Sequence, residues 1–343
     1  MPRFRETSYA NPVIAEVWAD PAIAGPDEDG WWWCYATDDE HEPLPPRRFK
    51  VARSRDLVSW QTHPPGAEAG AIAAPIPNAT RFRACWAPDV RRLGPRDWVF
   101  YGSLKFDDHA EEGKAGHGIF AAHGAGPAGF GQPTVLARGA GFGTIDPCFY
   151  EDPRSLRRFL YWGSGGGPIL GRELRPDGLG FAPGSAARAV LQPDPADPEA
   201  RLWEGAHVVA RPGDLRPVML VSGVCTWSGP YRVHAFLGGE DPLGPFRRPE
   251  GGSLVLRENE AWNRCGQVFL VRDAIGQHWM AYHAVRGEAV IPGTETVIGT
   301  GGRLGIPLRQ MCLDRAAFDE EGVPRVEGGS PSSGRQAGPV MLA

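Results

Sequence analysis

The sequence has little of what marks a membrane, nucleic-acid or zinc protein. No apolar run approaches the roughly 18 residues needed to span a bilayer, and Arg3 and Arg5 near the start have no apolar segment behind them. With no secretory leader in view, the expected location is the cytoplasm, or outside the cell where a leader has been removed. Positive charge is not in excess. Lys plus Arg number 36 against 41 Asp plus Glu, a net of -5 with no basic stripe, so neither nucleic acid nor a membrane surface is an expected partner. The six cysteines, Cys34, Cys85, Cys148, Cys225, Cys265 and Cys312, form no C-x-x-C pair. That spacing argues against zinc and predicts buried free thiols. Helical periodicity is nearly absent, because Pro or Gly interrupts almost every window of 3.6-residue repeat.

What fills the chain instead is strand and turn. The 46 glycines and 34 prolines punctuate short aromatic or aliphatic runs, as at 31–35, 98–101, 118–122, 159–162, 207–210, 218–221, 231–236, 267–271 and 279–283. Polar turns join them at 26–30, 94–97, 152–157, 211–216 and 273–277, the pattern of β-hairpins. The tail from 328 onward, rich in Gly, Ser and Pro, is expected to be flexible.

Short acidic signatures recur through this pattern. Ala19-Asp20-Pro21, Trp86-Ala87-Pro88-Asp89, Ile145-Asp146-Pro147 and Glu204-Gly205-Ala206-His207 follow one another at intervals of roughly 60 residues, the size of one four-stranded propeller blade with generous loops. An isolated Asp-Pro is ordinarily a turn. An acid that opens an apolar strand in successive repeats is different, because the innermost strands of a propeller run along its axis and bring such positions together. The reading is therefore all-β, a five-bladed β-propeller in one domain over 1–343, with blades at about 11–75, 80–138, 142–195, 200–258 and 262–330 and a flexible tail at 331–343. Carboxylates converging on one pocket are what cleavage of a glycosidic bond requires.

These signatures, together with Ala281-Tyr282-His283-Ala284 and the closing segment from Arg309 to Pro324, resemble glycoside hydrolase family 43 over residues 11 to about 330. The resemblance implies a five-bladed propeller that hydrolyses arabinosyl and xylosyl linkages with inversion. It makes Asp20 the general base, Glu204 the general acid and Asp146 the residue that orients Glu204 and tunes its pKa. Inversion then sets Asp20 and Glu204 roughly 6.5–9.5 Å apart, with water held between base and sugar. Arg309 stands where the family has an arginine that contacts the sugar and the acid. The family often holds an ion or water on the axis through a fifth-blade histidine. Here Gln267 occupies that place, so no cofactor is required and an axial Ca²⁺ on the Gln267 amide oxygen is an open alternative. His207 and His283 are read either as core histidines or as substrate contacts, and Trp86 either as a sugar-stacking surface or as packing between blades.

The expected substrate is an oligosaccharide or polysaccharide of plant type or containing furanose, and the expected activity α-L-arabinofuranosidase. The segment from Ser222 to Tyr231 is more similar to arabinan-active members than to xylosidases. β-Xylosidase and β-D-galactofuranosidase remain alternatives. So does a phosphorylase or transferase, which needs a cationic cluster such as Arg81, Arg83, Arg91 and Arg92, here patterned like a solvated face. A propeller that binds carbohydrate without catalysis is disfavoured by the three acids.

Overall fold

Each apolar run between two Gly- or Pro-containing turns pairs with its nearest neighbour in sequence. In the computed structural model, which describes residues 3–39, 48–68, 70–72, 82–111, 114–227, 229–294, 296–298 and 302–342, this local pairing produces five four-stranded antiparallel sheets. Blade 1 consists of Ala22–Ala24, Trp32–Ala36, Lys50–Ser54 and Trp60–Thr62. Blade 2 has Phe82–Gly94, Asp97–Glu111, Lys114–Gly124 and Thr134–Ala140, and blade 3 has Cys148–Glu151, Arg158–Trp162, Ile169–Glu173 and Arg188–Leu191. Blade 4 has Trp203–Ala210, Pro217–Val224, Tyr231–Leu237 and Leu254–Leu256, and blade 5 has Trp262–Arg272, His278–Val290, Pro307–Phe318 and Pro324–Val326. The first strand of each blade touches the first strand of the next, and that of blade 5 touches that of blade 1. The chain is a closed five-bladed β-propeller.

The turns form as their residues dictate. Asp152 N–H bonds Arg157 O, Arg211 N–H bonds Arg216 O and Asp273 N–H bonds Gln277 O. In each turn an aspartate carboxylate also accepts backbone N–H groups, Asp273 from Ile275 and Gln277 and Asp152 from Arg154. Such Asx bonding is why aspartate recurs there.

The core is divided among the blade interfaces. One apolar cluster fills each, from Tyr35, Phe49, Phe100 and Phe130 between blades 1 and 2 to Trp18, Trp279 and Met311 between blades 5 and 1. Trp18, Trp98, Trp203, Trp262 and Trp279 are fully buried, so most of the tryptophan surface serves blade-to-blade packing. All six cysteines are unpaired and all but Cys225 are buried. No helix among the described residues is long and apolar enough to cross a membrane.

Closure falls to the N-terminal segment. Val13 and Ile14 N–H both bond Met311 O, and Trp18 N–H bonds Arg309 O on the third strand of blade 5. Tyr9 Oη and Asn11 Nδ2 donate to the two oxygens of Asp314 at 2.8 and 2.9 Å. The C-terminal tail, whose composition predicts flexibility, is instead tied down: Gln336–Ala337 pairs with Ser8–Tyr9 and Met341–Leu342 with Phe4–Arg5. Its glycines and serines bend the chain back to a ready strand edge, and Met341 is buried.

Candidate active site

The inner strands share a local device. Asp20, Ala87, Asp146, Gly205 and Gln267, one per blade, all have left-handed backbone with φ of 56°, 47°, 58°, 61° and 52°. In blades 2, 4 and 5 this coincides with a break in strand register. A bulge of this kind turns the strand so that its opening residues face the axis. These are the equivalent positions of the repeat, so the carboxylate of blade 4 stands one residue before the left-handed position, and Asp89 stands two after it.

Each of these backbone N–H groups is received by the neighbouring blade. Ala87 N–H donates to Thr37 Oγ1 (2.9 Å), Asp146 N–H to Ser103 Oγ (2.8 Å) and Gln267 N–H to Ser222 Oγ (2.8 Å). Asp20 N–H reaches His283 Nδ1 (3.2 Å), and Gly205 N–H donates to Asp146 Oδ2 (2.9 Å). Thr37 and Ser164 stand just beyond the end of the second strand of their blades and Ser222 near the end of its own, Ser103 and His283 stand in the middle of theirs, and all are buried. Sequence reasoning passed over the four hydroxyls. The signal was present: a small hydroxyl residue lies in or just after the second strand in four blades and a histidine lies in that of the fifth.

The environments of the three acids diverge. Asp20 accepts from Thr37 Oγ1 at 2.5 Å and from Arg309 at 3.1 Å, and its Oδ1 lies 3.1 Å from His283 Nδ1. Burial alone would push its carboxyl up, but the Arg309 charge, His283 and Thr37 outweigh burial and hold it below the usual carboxylate range. Glu204 accepts from Ser164 Oγ at 2.5 Å and from Tyr231 Oη at 2.9 Å. Its pKa is nonetheless raised, by burial first and then by the Asp20 charge, against the pull of those two hydroxyls. Asp146 is raised further by burial, by Glu204 and by Asp20, opposed by Gly205 N–H and Arg309. One carboxylate is thus held ionised and two are pushed toward the acid form, both of them by the Asp20 charge as well as by burial.

The remaining expected residues divide. Arg309 reaches the site and contacts both carboxylate oxygens of Asp20, and its charge acts on Glu204 as well. Gln267 is half-buried with its amide oxygen against Gly205, where a Cβ would come within 2.0 Å of it. His283 is 0% exposed, stacked under Tyr231 with rings 5.7 Å apart and 8° from parallel. It therefore positions Asp20 and is closed to substrate, and its Nε2 is buried with no partner among the described residues. His207 lies outside the site altogether. It packs on Phe269 and receives the Leu270 N–H at 3.1 Å, a core histidine between blades 4 and 5. Trp86 is half-buried, stacked on His117 and Phe142, and the exposed ring of that group is Phe142.

Asp89 is a structural tie, accepting Phe149 N–H at 2.7 Å and Arg91 at 3.0 Å. Of the four arginines named for a phosphorylase's cationic cluster, Arg91 and Arg92 are described with their side chains. Arg91 turns inward to Asp89, Phe149 O and the Phe269 ring rather than presenting a solvated face. Arg92 bonds Pro26 O, and Arg81 and the side chain of Arg83 lie outside the described residues. A divalent ion on the axis also lacks donors that suit it. Gln267 offers one neutral amide oxygen, and no group of three or more His, Cys, Asp or Glu gathers into a metal cage among the described residues.

The sequence profile of glycosyl hydrolases family 43 matches residues 9–324. No curated protein sequence matches the chain. Among solved structures, an α-L-arabinanase of Cellvibrio cellulosa in complex with arabinohexaose is similar at 17% identity and a TM-score of 0.67, covering 92% of this chain and 96% of that one. A thermostable family-43 glycoside hydrolase is similar at 22% identity and 0.69, covering 96% and 99%. A xylan β-1,4-xylosidase from Bacillus halodurans is similar at 17% and 0.67 over 96% of this chain, which spans 59% of the xylosidase's length.

Proposed function

The chain belongs to glycosyl hydrolases family 43, and from that premise we propose that it is an inverting glycoside hydrolase that removes terminal α-L-arabinofuranosyl units from oligosaccharides or polysaccharides. The observation that supports this reading is the different set of partners on the two acids: Arg309 and Thr37 on Asp20, Ser164 and Tyr231 on Glu204, with Asp20 held below the usual carboxylate range and Glu204 raised.

Hydrolysis with inversion needs a base ionised at working pH and an acid still protonated. Asp20, clamped by Arg309, Thr37 and His283, is the base that takes a proton from water attacking the anomeric carbon. Glu204 is the acid that gives its proton to the departing oxygen. Asp146 shares a proton with Glu204 through their mutual repulsion, and its bond to Gly205 N–H fixes the backbone beside the acid. Asp146 is itself pushed toward the acid form, by burial and by the Glu204 and Asp20 charges. Every proton step runs through these side chains, and none is routed through an axial ion. Phe142, backed by Trp86, offers an apolar face on which a sugar can stack.

The arabinosyl reading is supported by the Cellvibrio arabinanase, with which this chain coincides over nearly the full length of both. β-Xylosidase is the second reading, favoured by likeness to the Bacillus halodurans enzyme. The test is turnover of aryl α-L-arabinofuranoside, β-D-xyloside and β-D-galactofuranoside, with and without phosphate, and with the product anomer read by NMR. Hydrolysis of the arabinofuranoside with inversion is expected. A preference for the xyloside selects the second reading, and strict dependence on phosphate refutes hydrolysis.

A further inference from the structure

Acid and base are held by one pair of rings. Tyr231 opens the third strand of blade 4 and donates its hydroxyl to Glu204 Oε1 at 2.9 Å. His283 lies in the second strand of blade 5, its Nδ1 3.1 Å from Asp20 Oδ1 and 3.2 Å from the Asp20 backbone N. The two rings stack with centroids 5.7 Å apart and planes 8° from parallel, and both are buried. Glu204, Tyr231, His283 and Asp20 thus form one line of contact from acid to base. It crosses the boundary between blades 4 and 5 and that between blades 5 and 1.

The seat for this pair is built into blade 5. Gly266 is the cross-strand partner of His283, and the strand breaks register on both sides of it. A Cβ at Gly266 would come within 2.0 Å of Tyr231 Cε1 and 2.3 Å of Cδ1, so the tyrosine ring occupies space that any other residue would fill. The Tyr231 hydroxyl is also hydrogen-bonded to Ser222, which receives the Gln267 N–H of that same inner strand at 2.8 Å. Tyr231 is therefore fixed at both ends, by Gly266 and His283 along the ring and by Glu204 and Ser222 at the oxygen. His283 Nε2 is buried with no partner among the described residues, so its ring has polar anchorage at Nδ1 alone.

Inversion leaves little tolerance in the gap between the two carboxyls, roughly 6.5–9.5 Å, which must admit both water and sugar. A misplacement of about 1 Å can cost on the order of 10²-fold in rate. Hydrogen bonds fix each carboxylate to its own neighbours, and the stack fixes two of those neighbours to each other. Resting on the reading of Asp20 as base and Glu204 as acid, we propose that Tyr231 and His283 are positioning residues that act as one spacer and set the separation of the two carboxyls.

The test separates loss of a ring from loss of a hydrogen bond. His283→Phe keeps the stack and removes Nδ1, whereas His283→Asn keeps an amide near the Nδ1 position and removes the ring. Each is assayed for kcat/KM on aryl α-L-arabinofuranosides and β-D-xylosides with leaving groups from dinitrophenol to phenol. His283→Phe is expected to lose by one factor on every leaving group, the mark of an impaired base. His283→Asn is expected to lose at least about tenfold more on the phenyl than on the dinitrophenyl glycoside, the mark of a displaced acid, which His283 does not touch. Conversely, Tyr231→Phe loses least on the dinitrophenyl glycoside, where the acid is not needed. Tyr231→Leu, which removes the ring, loses at least about tenfold more there than Tyr231→Phe, because the base is displaced. An even loss in His283→Asn, or equal losses in the two Tyr231 variants on the dinitrophenyl glycoside, refutes the spacer. The Tyr231 pair decides alone where a His283 variant does not fold. Crystal structures of the wild type and both His283 variants separate this result from the hydrolase reading. In a protein that turns over no glycoside, an Asp20–Glu204 separation changed by about 1 Å in His283→Asn alone upholds the spacer and refutes hydrolysis. A separation unchanged in His283→Asn, or changed equally in His283→Phe, refutes the spacer.

Discussion

At the scale of single residues, the chemistry depends on neighbours that move two carboxylates in opposite directions. Glu204→Gln and Asp20→Asn should each lower kcat on the order of 10²–10⁴-fold. The two losses should differ in kind: Glu204→Gln keeps more activity on a dinitrophenyl glycoside, whose leaving group needs no proton, whereas Asp20→Asn loses equally on every leaving group. In the pH profile of kcat/KM, activity needs Asp20 ionised, present above its depressed pKa, and Glu204 protonated, present below its raised one. Tyr231→Phe removes a donor that favours the Glu204 carboxylate, so the alkaline limb should move to higher pH. Stability carries the same signs. Asp20 contributes stability above its unfolded value, roughly 3.9, and loses it as pH falls through the depressed folded value. Asp146 and Glu204 bind protons more tightly folded than unfolded, so they cost stability as pH rises from the ordinary carboxylate range through their raised values. Thermal melts of Asp146→Asn should therefore show a gain over wild type at pH 8 that shrinks at pH 4.

At the scale of elements, the left-handed residue in each inner strand is a backbone cost repeated around the ring. Such a conformation in a residue other than glycine costs of order 1–3 kcal/mol and persists here because a buried acceptor on the adjacent blade takes the N–H. Asp tolerates it through its short polar side chain, and Gly205 allows Gln267 to lie across it. Gly205→Ala would drive a Cβ into the Gln267 amide and should lower the melting temperature as well as activity. Thr37→Val removes the acceptor of Ala87 N–H and a donor to Asp20 together. It should cost about 1–3 kcal/mol for the unsatisfied buried groups, read by denaturant unfolding, and should move the acid limb of the pH profile upward.

At the scale of the whole molecule, the two ends of the chain lock the ring. Asp314 receives Tyr9, Asn11, Tyr282 and the Ser332 N–H, binding both terminal segments to blade 5. Arg309, on the same strand as Asp314, holds Asp20 in blade 1, so ring closure and alignment of the base are one event. Asp314→Ala strands several buried donors and should destabilise by roughly 3–5 kcal/mol. Its loss of activity should track unfolding as temperature rises, with a pH profile unchanged at low temperature. A shifted profile would mean that Asp314 acts on the site directly.

The sequence alone determined the strands, the turns and the number of blades, because those follow from alternating short apolar runs and Gly, Pro and Asp punctuation, all of it local. It also brought out Asp20, Asp146 and Glu204, since acids in repeating signatures stand out along a line of text, while Arg309 came only with the family resemblance. What only the tertiary structure decided was which side chains meet. His207 and His283 look alike in sequence, each in an apolar strand, yet one packs against Phe269 and the other against the base. Thr37 and Tyr231, ordinary residues of blades 1 and 4, reach the acid of their own blade, and Ser164 reaches Glu204 because the ring puts the second strand of blade 3 against the first strand of blade 4. Contacts across that boundary join residues tens of positions apart or more, and no local pattern records such a distance.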